Sequence, residues 1–339
     1  MPDPTTGARP TLEAVAARAG VSRATVSRVV NGGAGVRAPL VERVRTAIAE
    51  LGYVPNQAAR SLVTRRTGAV AVVIAEPEFR IFSDPFFERQ LRGISRELTA
   101  NDSQLVLLWV EGPEDHDRIA RYLGGGHVDG ALAFSLHDEH ELPAIVRESG
   151  VPVVFGGRPG TTSGQPVPYV DCDNRGGARE AVRHLVALGR TRVAHIAGPR
   201  DQTSALDRVA GYREALGAAR GIVAQGAFTV ESGARAMAEL LERHSDLDAV
   251  FAANDLMASG ALRVLRERGL RVPDDVAVIG FDDMESVAGT TDPPLTTVRQ
   301  DIEGNGRRMV RLLMRMLREP DASPLPVVTP TRLVRRASA

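Results

Sequence analysis

The sequence predicts an all-α N-terminal head with a hinge helix, followed by an α/β body of two lobes with parallel sheets. In the head, apolar residues recur at helical spacing between glycine turns. From Gly68 onward, short apolar runs alternate with amphipathic helical stretches, as expected for βα units that cover both faces of a sheet. The body exceeds 270 of the 339 residues, too many for one comfortable sheet, so we expect two lobes.

The composition excludes several classes of protein. No window holds about 18 uncharged apolar residues, and the N-terminus lacks the basic-then-apolar order of a signal peptide, so we expect a cytoplasmic protein without a membrane span. With one cysteine, Cys172, an intrachain disulfide and a multi-cysteine zinc site are excluded. All 42 basic residues are arginines, which excludes a Walker A phosphate loop and a pyridoxal Schiff base.

The net charge of zero conceals an asymmetry between the two parts of the chain. Residues 1–66 carry ten arginines and four acidic residues, a charge of +6, so the remainder carries −6. A basic head on an acidic body is typical of a nucleic-acid-binding protein. A solvated surface with chance clustering of charge is the alternative interpretation, and charge alone does not separate the two.

Two short helices and a tight turn are predicted near the N-terminus. The first begins after the N-cap Thr11 and ends at Gly20. Its apolar face consists of Leu12, Val15, Ala16 and Ala19. The second begins after Ser22, where Val21 and Val26 can form a hydrophobic staple. This pattern predicts a helix-turn-helix motif.

A third helix and a hinge complete the predicted head. The third helix opens at Pro39 and stops at Gly52. A segment of about seven residues after Asn56 is too short for a stable isolated helix, so we expect it to fold only when something docks on it. We place the head at 1–66, with the hinge helix at about 56–64, and the body at 67–339.

The body is predicted from its apolar runs and amphipathic stretches. Strands are expected at 69–75, 104–110, 128–134, 152–156, 192–197, 249–253 and 275–281. Helices are expected at about 86–100, 113–123, 138–149, 174–188, 204–219, 231–243, 255–268 and 300–317. Proline-rich breaks are candidate crossovers between the lobes, at 164–168, 292–294 and 320–330.

Blocks along almost the whole chain resemble the LacI/GalR family of bacterial transcription regulators. In the head these are TLEAVAARAGVSRATVSRVVNG (11–32) and ELGYVPNQAARSL (50–62). In the body they are DPFF (84–87), VDCDNRGGAREAVRHLVALGRTRVAHIAGP (170–199), DRVAGYREAL (207–216), FTVESG (228–233), VFAANDLMASGALRVLRERGLRVPDDVAVIGFDD (250–283) and PPLTTVRQDIEGNGR (293–307). The resemblance implies a sequence-specific repressor whose periplasmic-binding-protein-like body binds a small-molecule effector, a sugar or related metabolite, between its lobes.

The second helix of such a motif enters the major groove of double-stranded DNA. Arg23 can contact guanine in a bidentate manner, Ala24 can contact a thymine methyl group, and Arg28 lies one turn on. By resemblance these are the principal base readers. Phosphate-positioning groups are expected at Thr11, Ser22, Thr25, Ser27 and Asn31. Alternatively, Ser22 is only an N-cap and Arg28 only a solvated residue.

The hinge is expected to order on operator DNA as paired helices in the minor groove. Leu62 would then be the apolar wedge that kinks the duplex, with Asn56 and Ala59 also at the DNA. The alternative is an interdomain helix with Leu62 packed on the body. Because one head is too small for tight binding, we expect a homodimer on a palindromic operator. The absence of a trailing leucine heptad after Arg336 favours a dimer over a tetramer.

The effector pocket is expected where parallel strands end. By resemblance its residues are Phe86, Phe87, Ser204, Arg208, Phe228, Asn254 and Asp282. An arginine fork and carboxylates suit hydroxyls or a carboxylate, and aromatic faces suit a sugar ring. Alternatively, Phe87 belongs to the core. We expect Asp255 to be a helix N-cap rather than a ligand contact, and Asp173 could also be a helix N-cap.

Two departures from the family pattern concern the pocket. Gly157 stands where an acidic residue is frequent, and Arg158 follows it, which removes a hydroxyl-binding carboxylate and could suit an anionic ligand. The connection at 218–226 is also short, which could shift Phe228. Neither the effector, nor whether it releases or tightens DNA binding, nor the operator and regulated genes follow from the sequence.

Two alternative functions are considered for this sequence, a transport-type sugar-binding protein and an enzyme. His137 and His140 have i, i+3 spacing, but no third metal ligand is evident, and a solvated helix start explains them. A loose dinucleotide pattern at 33–38 lies between helices rather than after a strand, and no G-x-S-x-G motif occurs. We therefore expect no catalytic residue, no metal and no cofactor, and we expect Cys172 to be a small buried residue.

Overall fold

The computed structural model describes residues 10–30, 35–54, 66–135, 137, 142–160, 167–217, 221–321 and 325–339. The chain divides into two compact units, Met1–Thr67 and Gly68–Ala339. This division lies one residue from the boundary that we placed between 66 and 67. Among the described residues, no helix is long and apolar enough to span a bilayer.

The head contains three helices in the described residues, α1 (Leu12–Ala19), α2 (Arg23–Val30) and α3 (Ala38–Leu51). Thr11 caps α1 as predicted, because its Oγ1 accepts a hydrogen bond from the Ala14 amide at 3.2 Å. Gly20 and Gly52 end α1 and α3 with φ near 60°, a left-handed conformation that glycine adopts without steric cost. The predicted order of helix, tight turn and helix is confirmed.

A small apolar core holds the three helices of the head together. Its buried members are Val15, Ala16, Ala19, Val26, Val44, Ala47 and Tyr53. Val21 packs on this core beside Val26, as the predicted staple requires. The Arg43 guanidinium donates to the carbonyl of Ala19 at 2.6 Å, which ties α3 to the end of α1. Val26 is therefore a core residue of the head.

The body alternates strands and helices along the chain. Its described strands are β1 (Ala69–Ile74), β2 (Gln104–Trp109), β3 (Gly130–Phe134), β4 (Val153–Gly156), β5 (Tyr169–Cys172), β6 (Val193–Ala197), β7 (Ile222–Gln225), β8 (Ala249–Ala252), β9 (Ala277–Asp282), β10 (Thr296–Arg299), β11 (Val327–Thr329) and β12 (Arg332–Val334). Its described α-helices are α4 (Glu78–Ser83), α5 (Pro85–Ala100), α6 (His116–Gly124), α7 (Leu142–Glu148), α8 (Asn174–Ala187), α9 (Thr203–Leu216), α10 (Val230–Arg243), α11 (Asp255–Glu267), α12 (Glu285–Ala288) and α13 (Ile302–Arg318).

The strands form two six-stranded sheets, one in each lobe. The first lobe has the order β11-β5-β4-β3-β1-β2, and all its pairs are parallel. The second has the order β12-β10-β9-β8-β6-β7, with only β12 antiparallel. Each sheet has an apolar cluster on either face, so both are covered. The predicted two-lobed body with parallel sheets is confirmed.

The chain passes between the lobes three times in the described body. It leaves the first lobe after Cys172, because α8 packs in the second lobe through Ala178 and Val182. It returns between β10 and α13, and it crosses again between β11 and β12. Two predicted crossovers are therefore wrong. The break at 164–168 lies between β4 and β5 of one sheet, and the break at 292–294 precedes β10 within the other.

Candidate functional site

The start of α2 presents an exposed face in the head. Ser22, Arg23, Ala24 and Arg28 are exposed, whereas Thr25 and Ser27 are half-buried. Val26, between them, is fully buried against the core of the head. The side chains that we predicted as DNA contacts therefore point away from the core, on a helix whose opposite face is anchored.

Local hydrogen bonds order the first turn of α2. The Thr25 amide donates to Ser22 Oγ at 3.2 Å, and the two hydroxyl oxygens lie 2.9 Å apart, so Ser22 caps α2. Arg23 Nε lies 3.0 Å from the Glu13 carboxylate of α1. This pair is well exposed and contributes little to stability, so the guanidinium can exchange Glu13 for another acceptor at low cost.

Part of the predicted DNA interface lies outside the described residues. This applies to Asn31 at the end of α2 and to the hinge residues Asn56, Ala59 and Leu62. Their roles, including the wedge role of Leu62, stay predictions.

In the body, a cleft with a cavity volume of about 120 Å³ opens between the two lobes. Ser135 and Asp171 line it at the carboxyl ends of β3 and β5, and Asn254 and Asp282 line it at those of β8 and β9. This is where open parallel sheets bind ligands. Of the predicted effector residues, those that line the cleft are Phe86, Ser204, Arg208, Phe228, Asn254 and Asp282.

Phe87 is the exception among the predicted cleft residues. It is fully buried in the first lobe, stacked on Phe134 at 6.2 Å between ring centroids. The Phe86 ring meets it edge to face at 5.5 Å and stands between it and the cleft. Adjacent helical residues point in directions about 100° apart, so one of the pair faces the cleft and the other faces the sheet. The predicted effector contact of Phe87 is therefore wrong, and the alternative of a core residue is correct.

Arg208 is the most connected side chain of the cleft. Its Nε donates to Asn174 Oδ1 at 2.9 Å, and its Nη1 donates to the Ala253 carbonyl. Its Nη2 lies 3.6 Å from the Asp282 carboxylate, and the guanidinium lies 3.8 Å from the centroid of the Phe281 ring. One buried arginine thus links α8, α9 and the ends of β8 and β9.

Asn254, which lines the cleft, is also the helix N-cap that we expected at Asp255. Asn254 is the N-cap of α11, since its Oδ1 accepts from the Met257 amide at 2.9 Å, and its Nδ2 donates to the Phe228 carbonyl. Asp255 is not the cap. Its carboxylate accepts from the Met284 amide at 2.7 Å and from the Thr297 hydroxyl, and burial raises its pKa well above the usual value. By contrast, the predicted cap role of Asp173 on α8 is confirmed.

Three carboxylates face the cleft with raised pKa values. Burial raises the pKa of Asp84 to about 6, and burial also raises the pKa values of Asp171 and Asp282. Phe228 and Asp282 have φ angles of 61° and 105°, which strain a residue with a side chain. Raised pKa values and strained backbone both concentrate at this cleft, as is typical of a binding site.

Arg158 is already paired across the lobes. Its Nη2 lies 2.8 Å from both carboxylate oxygens of Asp207 on α9, and its carbonyl accepts from the Thr203 hydroxyl. The expectation that Arg158 attracts an anionic ligand is therefore not supported. Asp171, on the neighbouring strand, accepts from the Arg158 amide at 3.0 Å and brings a carboxylate to the cleft beside Gly157.

Several cleft residues were not predicted from the sequence. These are Arg80, Asp84, Gln90, Ser135, Asp171, Asn174, Gln202, Gln300 and Asn305, among others. Arg80 lies on α4, a six-residue helix that carries too little periodicity to be recognised. His137 is half-buried rather than solvated as expected, and its Nδ1 lies 2.6 Å from Asp201. Cys172 is buried as predicted, and burial raises its pKa.

Comparison with known proteins places the chain among bacterial regulators. A family model described as "Bacterial regulatory proteins, lacI family" matches residues 11–56, and one described as "Periplasmic binding protein-like domain" matches residues 182–339. The HTH-type transcriptional regulator CelR of Thermobifida fusca is 49% identical over 335 residues, which cover 97% of this chain and 98% of that protein. The chain belongs to the LacI family.

Other members of the LacI family resemble it over nearly their whole length. The ribose operon repressor of Halalkalibacterium halodurans is 32% identical over 334 residues, 96% of each chain. A solved complex of CelR with cellobiose shares 46% identity, covers 98% of this chain and 100% of that one, and has a TM-score of 0.78. The Lac repressor dimer bound to operator shares 30% identity over 98% and 99% of the chains, with a TM-score of 0.84. These relatives are transcriptional regulators.

Proposed function

We propose that this LacI-family regulator represses transcription by binding a palindromic operator as a homodimer, with its operator affinity controlled by a neutral sugar in the cleft. Two features of the described residues carry the proposal. The start of α2 is exposed and polar, and each arginine of the cleft already has a carboxylate partner. Because it acts on chromosomal DNA, we place the protein in the cytoplasm.

In the head, α2 lies in the major groove. Arg23 and Arg28 donate to base edges, and Ala24 contacts a thymine methyl group. Thr11, Ser22, Thr25 and Ser27 position the phosphates through hydroxyl and backbone donors. Asn31, Asn56, Ala59 and Leu62 complete the interface on the strength of the family resemblance alone. Removal of the Arg23 guanidinium should therefore reduce sequence preference, whereas loss of a phosphate contact should weaken binding to all duplexes alike.

A second copy of the chain pairs through an apolar patch on the first lobe. The patch consists of Phe79 and Phe82 of α4, which are 65% and 71% exposed, beside the edge strand β2. The Phe82 ring meets Trp109 of that strand edge to face at 5.8 Å. Large apolar side chains grouped at a sheet edge mark an interface rather than a solvated surface. Phe82→Asp should produce monomers in analytical ultracentrifugation, whereas Leu188→Asp, at an exposed leucine elsewhere, should remain dimeric.

The cleft suits a ligand rich in hydroxyl groups. Its arginines each have a carboxylate partner: Arg80 with Glu76, Arg158 with Asp207, and Arg208 with Asp282. No guanidinium among the described cleft residues is left to neutralise a phosphate or a carboxylate, so an anionic ligand would carry its desolvation penalty uncompensated. Asp84, Asp171, Asn254 and Asp282 instead offer acceptors to hydroxyl donors, while Phe86 and Phe228 offer ring faces.

Effector binding and operator binding are coupled through closure of the lobes. A sugar that binds both lobes stabilises the closed arrangement, and this shifts the population of the dimer geometry in which the hinge segments meet DNA. The coupling is reciprocal, so operator DNA should change sugar affinity by the same factor. Binding, rather than turnover, is the role of the cleft.

Calorimetric titration of the full chain tests the effector assignment. Cellobiose is the first probe because it is the ligand of the CelR complex, and maltose, ribose and glucose complete the panel. Glucose 6-phosphate and cellobionic acid serve as anionic counterparts. A neutral sugar should bind at least tenfold more tightly than its anionic counterpart. Preference for the anionic compounds, or binding of none of the neutral sugars, would overturn the assignment.

A further inference from the structure

Arg80 occupies an unusual position in the cleft. It lies on α4, yet its guanidinium centre is 5.4 Å from the centroid of Phe228, which belongs to the second lobe. On the other side the same guanidinium lies 5.9 Å from the Phe87 ring of its own lobe. The residue is only 8% exposed, so its charge reaches across the cleft in a largely water-excluded setting.

One buried carboxylate holds Arg80 in place. Both oxygens of Glu76 accept from Arg80 Nη1 at 2.6 Å, and Glu76 is 3% exposed. The same carboxylate accepts from the Ser135 hydroxyl at 2.5 Å and from Gln202 Nε2 at 3.1 Å. Burial acts to raise the pKa of Glu76, but the hydrogen bond with His137 and the charge of Arg80 hold it below its usual value. Glu76 is therefore an ionised anchor for three side chains that line the cleft.

The anchor also joins the two lobes. Gln202 belongs to the second lobe, at the start of α9, and Glu76 follows β1 of the first. His137, after β3, lies 3.4 Å from Glu76 through Nε2 and 2.6 Å from Asp201 through Nδ1. Arg80 is thus linked through Glu76 to Gln202 of the second lobe and, through His137, to Asp201.

One donor of Arg80 remains unmet. Its Nε is buried and has no hydrogen-bond partner among the residues that the structure describes. A buried N–H without an acceptor is unfavourable, and a charged donor more so. Glu76 is engaged at Nη1 and makes no hydrogen bond with Nε, and Arg80 is one of the residues that line the cleft.

We propose that Arg80 is an effector-contacting residue, whose Nε–H donates to a neutral oxygen of the bound sugar, and that Glu76 is the positioning residue that holds it. The proposal rests on the sugar-binding function proposed above and adds a selective contact to it. A hydroxyl, ring or glycosidic oxygen satisfies the donor without bringing a second negative charge next to Glu76. The contact therefore also favours neutral sugars over anionic ones.

Conservative variants separate this role from a structural one. Arg80→Lys retains the charge but removes the Nε–H and the planar fork. We expect it to raise the Kd for cellobiose, or for the tightest sugar of the panel, at least tenfold in calorimetry at pH 7. Glu76→Gln keeps the shape but releases Arg80, and should raise the Kd roughly three- to tenfold. Arg92→Lys, an exposed ion pair on α5, should leave the Kd unchanged and serves as the matched control.

The melting temperature of each ligand-free variant is measured in parallel. A structural role alone predicts a lower melting temperature with the Kd of the folded protein unchanged, and that result overturns the proposal. A Kd within twofold of wild type for Arg80→Lys overturns it equally. A tenfold loss in Arg80→Lys with wild-type values in Arg92→Lys supports it.

A measurement on the free protein, which needs no ligand, tests this proposal independently of the proposed function. If the wild-type chain binds no sugar of the panel, the proposed function fails. Arg80 is then tested in ¹⁵N-arginine spectra of the free protein, where its Nε–H is identified by its absence in Arg80→Lys. Slow exchange of this proton with water, accelerated in Glu76→Gln, supports a buried donor held by Glu76. Fast exchange in the wild type overturns the assignment.

Discussion

The candidate functional residues are arranged differently in the head and in the body of this regulator. In the head, the described candidates fall between Thr11 and Arg28, and most are exposed on or near one short helix. In the body, the cleft residues extend from Arg80 to Asn305, come from both lobes, and are mostly buried and bonded to one another. A substitution on the exposed surface of the head should thus have little effect on folding, whereas a substitution in the cleft should destabilise the protein.

The same contrast distinguishes how charge is used. Arg23 forms an exposed pair with Glu13 that a DNA base can replace, and Arg208 forms a buried set of bonds with Asn174, Ala253 and Asp282. Exposed pairs contribute little to stability, while a buried charge that loses its partner is strongly destabilising. Substitutions in the head should therefore change DNA binding without changing stability. Substitutions in the cleft should change sugar binding and stability together.

The largest effect is expected at Arg208. Arg208→Ala leaves the Asp282 carboxylate buried without its cation and removes bonds to Asn174 and Ala253. The free energy of unfolding in urea should fall by about 3–5 kcal/mol, and sugar binding should become undetectable. Arg263→Ala, at an exposed pair on α11, should change stability by less than about 0.5 kcal/mol. A loss below about 1 kcal/mol in Arg208→Ala would contradict the account.

A second large effect should appear on acidification, through His195 in the core of the second lobe. Its ring is stacked against Phe251 at 4.8 Å, and burial lowers its pKa to about 4 from 6.5. A histidine that is harder to protonate when folded stabilises the protein fully above pH 6.5 and loses that contribution as the pH falls toward 4. The loss should reach about 3 kcal/mol.

The test compares free energies of unfolding at pH 7 and pH 4. His195→Phe should lose about 3 kcal/mol less than wild type over this interval, because it has no proton to gain there. His127→Phe, at an exposed histidine, should follow the wild-type curve. Parallel curves for His195→Phe and wild type would show that the buried imidazole does not titrate as described.

A smaller effect, and one confined to binding, is expected in the head. Arg23→Ala should weaken binding to the preferred operator by about 1–3 kcal/mol and relax the preference at one base pair, because a bidentate guanine contact is lost. Its melting temperature should stay within error of wild type, since the side chain is 73% exposed. Fluorescence anisotropy on matched and substituted operators measures this. Arg45 is an exposed arginine of α3, and the control variant Arg45→Ala should keep the wild-type base preference. If Arg23→Ala loses the same affinity for every duplex, Arg23 does not read a base.

The smallest effect should come from His137, which joins the lobes. Burial acts to lower its pKa, but its hydrogen bonds to Glu76 and Asp201 outweigh burial and raise the pKa above 6.5. Its contribution is present below pH 6.5 and is lost as the pH rises through the raised pKa. The free energy of unfolding should therefore fall by less than about 1 kcal/mol between pH 6 and pH 9 because of this group, as for a modest ion pair. His137→Asn should flatten this dependence, and an unchanged slope would exclude His137 as its origin.

Local pattern was enough to predict most of the helices and the central strands. The face of α1, the stop at Gly20 and the long apolar runs of β1 and β9 are properties of consecutive residues. Five strands of three or four residues, β5, β7, β10, β11 and β12, escaped prediction because their pairing partners supply the stability.

The cleft was predictable only in part, because its geometry depends on distant segments. Strand ends and family resemblance identified Arg208, Asn254 and Asp282, but not that Phe87 turns inward while Phe86 faces the cleft. Likewise, Gly157 suggested a missing carboxylate, and only the pairing of β4 with β5 brings Asp171 to that place. Arg158 and its partner Asp207 are 49 positions apart in the sequence, and no periodic pattern of residues reveals a pair at that separation.

We propose that an exposed helix of this regulator reads DNA under the control of a sugar held between two lobes. Selection of bound sequences from random duplex DNA by the full chain, at physiological salt and with or without cellobiose or the tightest sugar of the panel, tests it most directly. We expect enrichment of a palindrome with half-sites about one helical turn apart, and at least a tenfold change in affinity for it with sugar. If no palindrome is enriched over bulk duplex under either condition, the protein is not an operator-specific regulator of this kind.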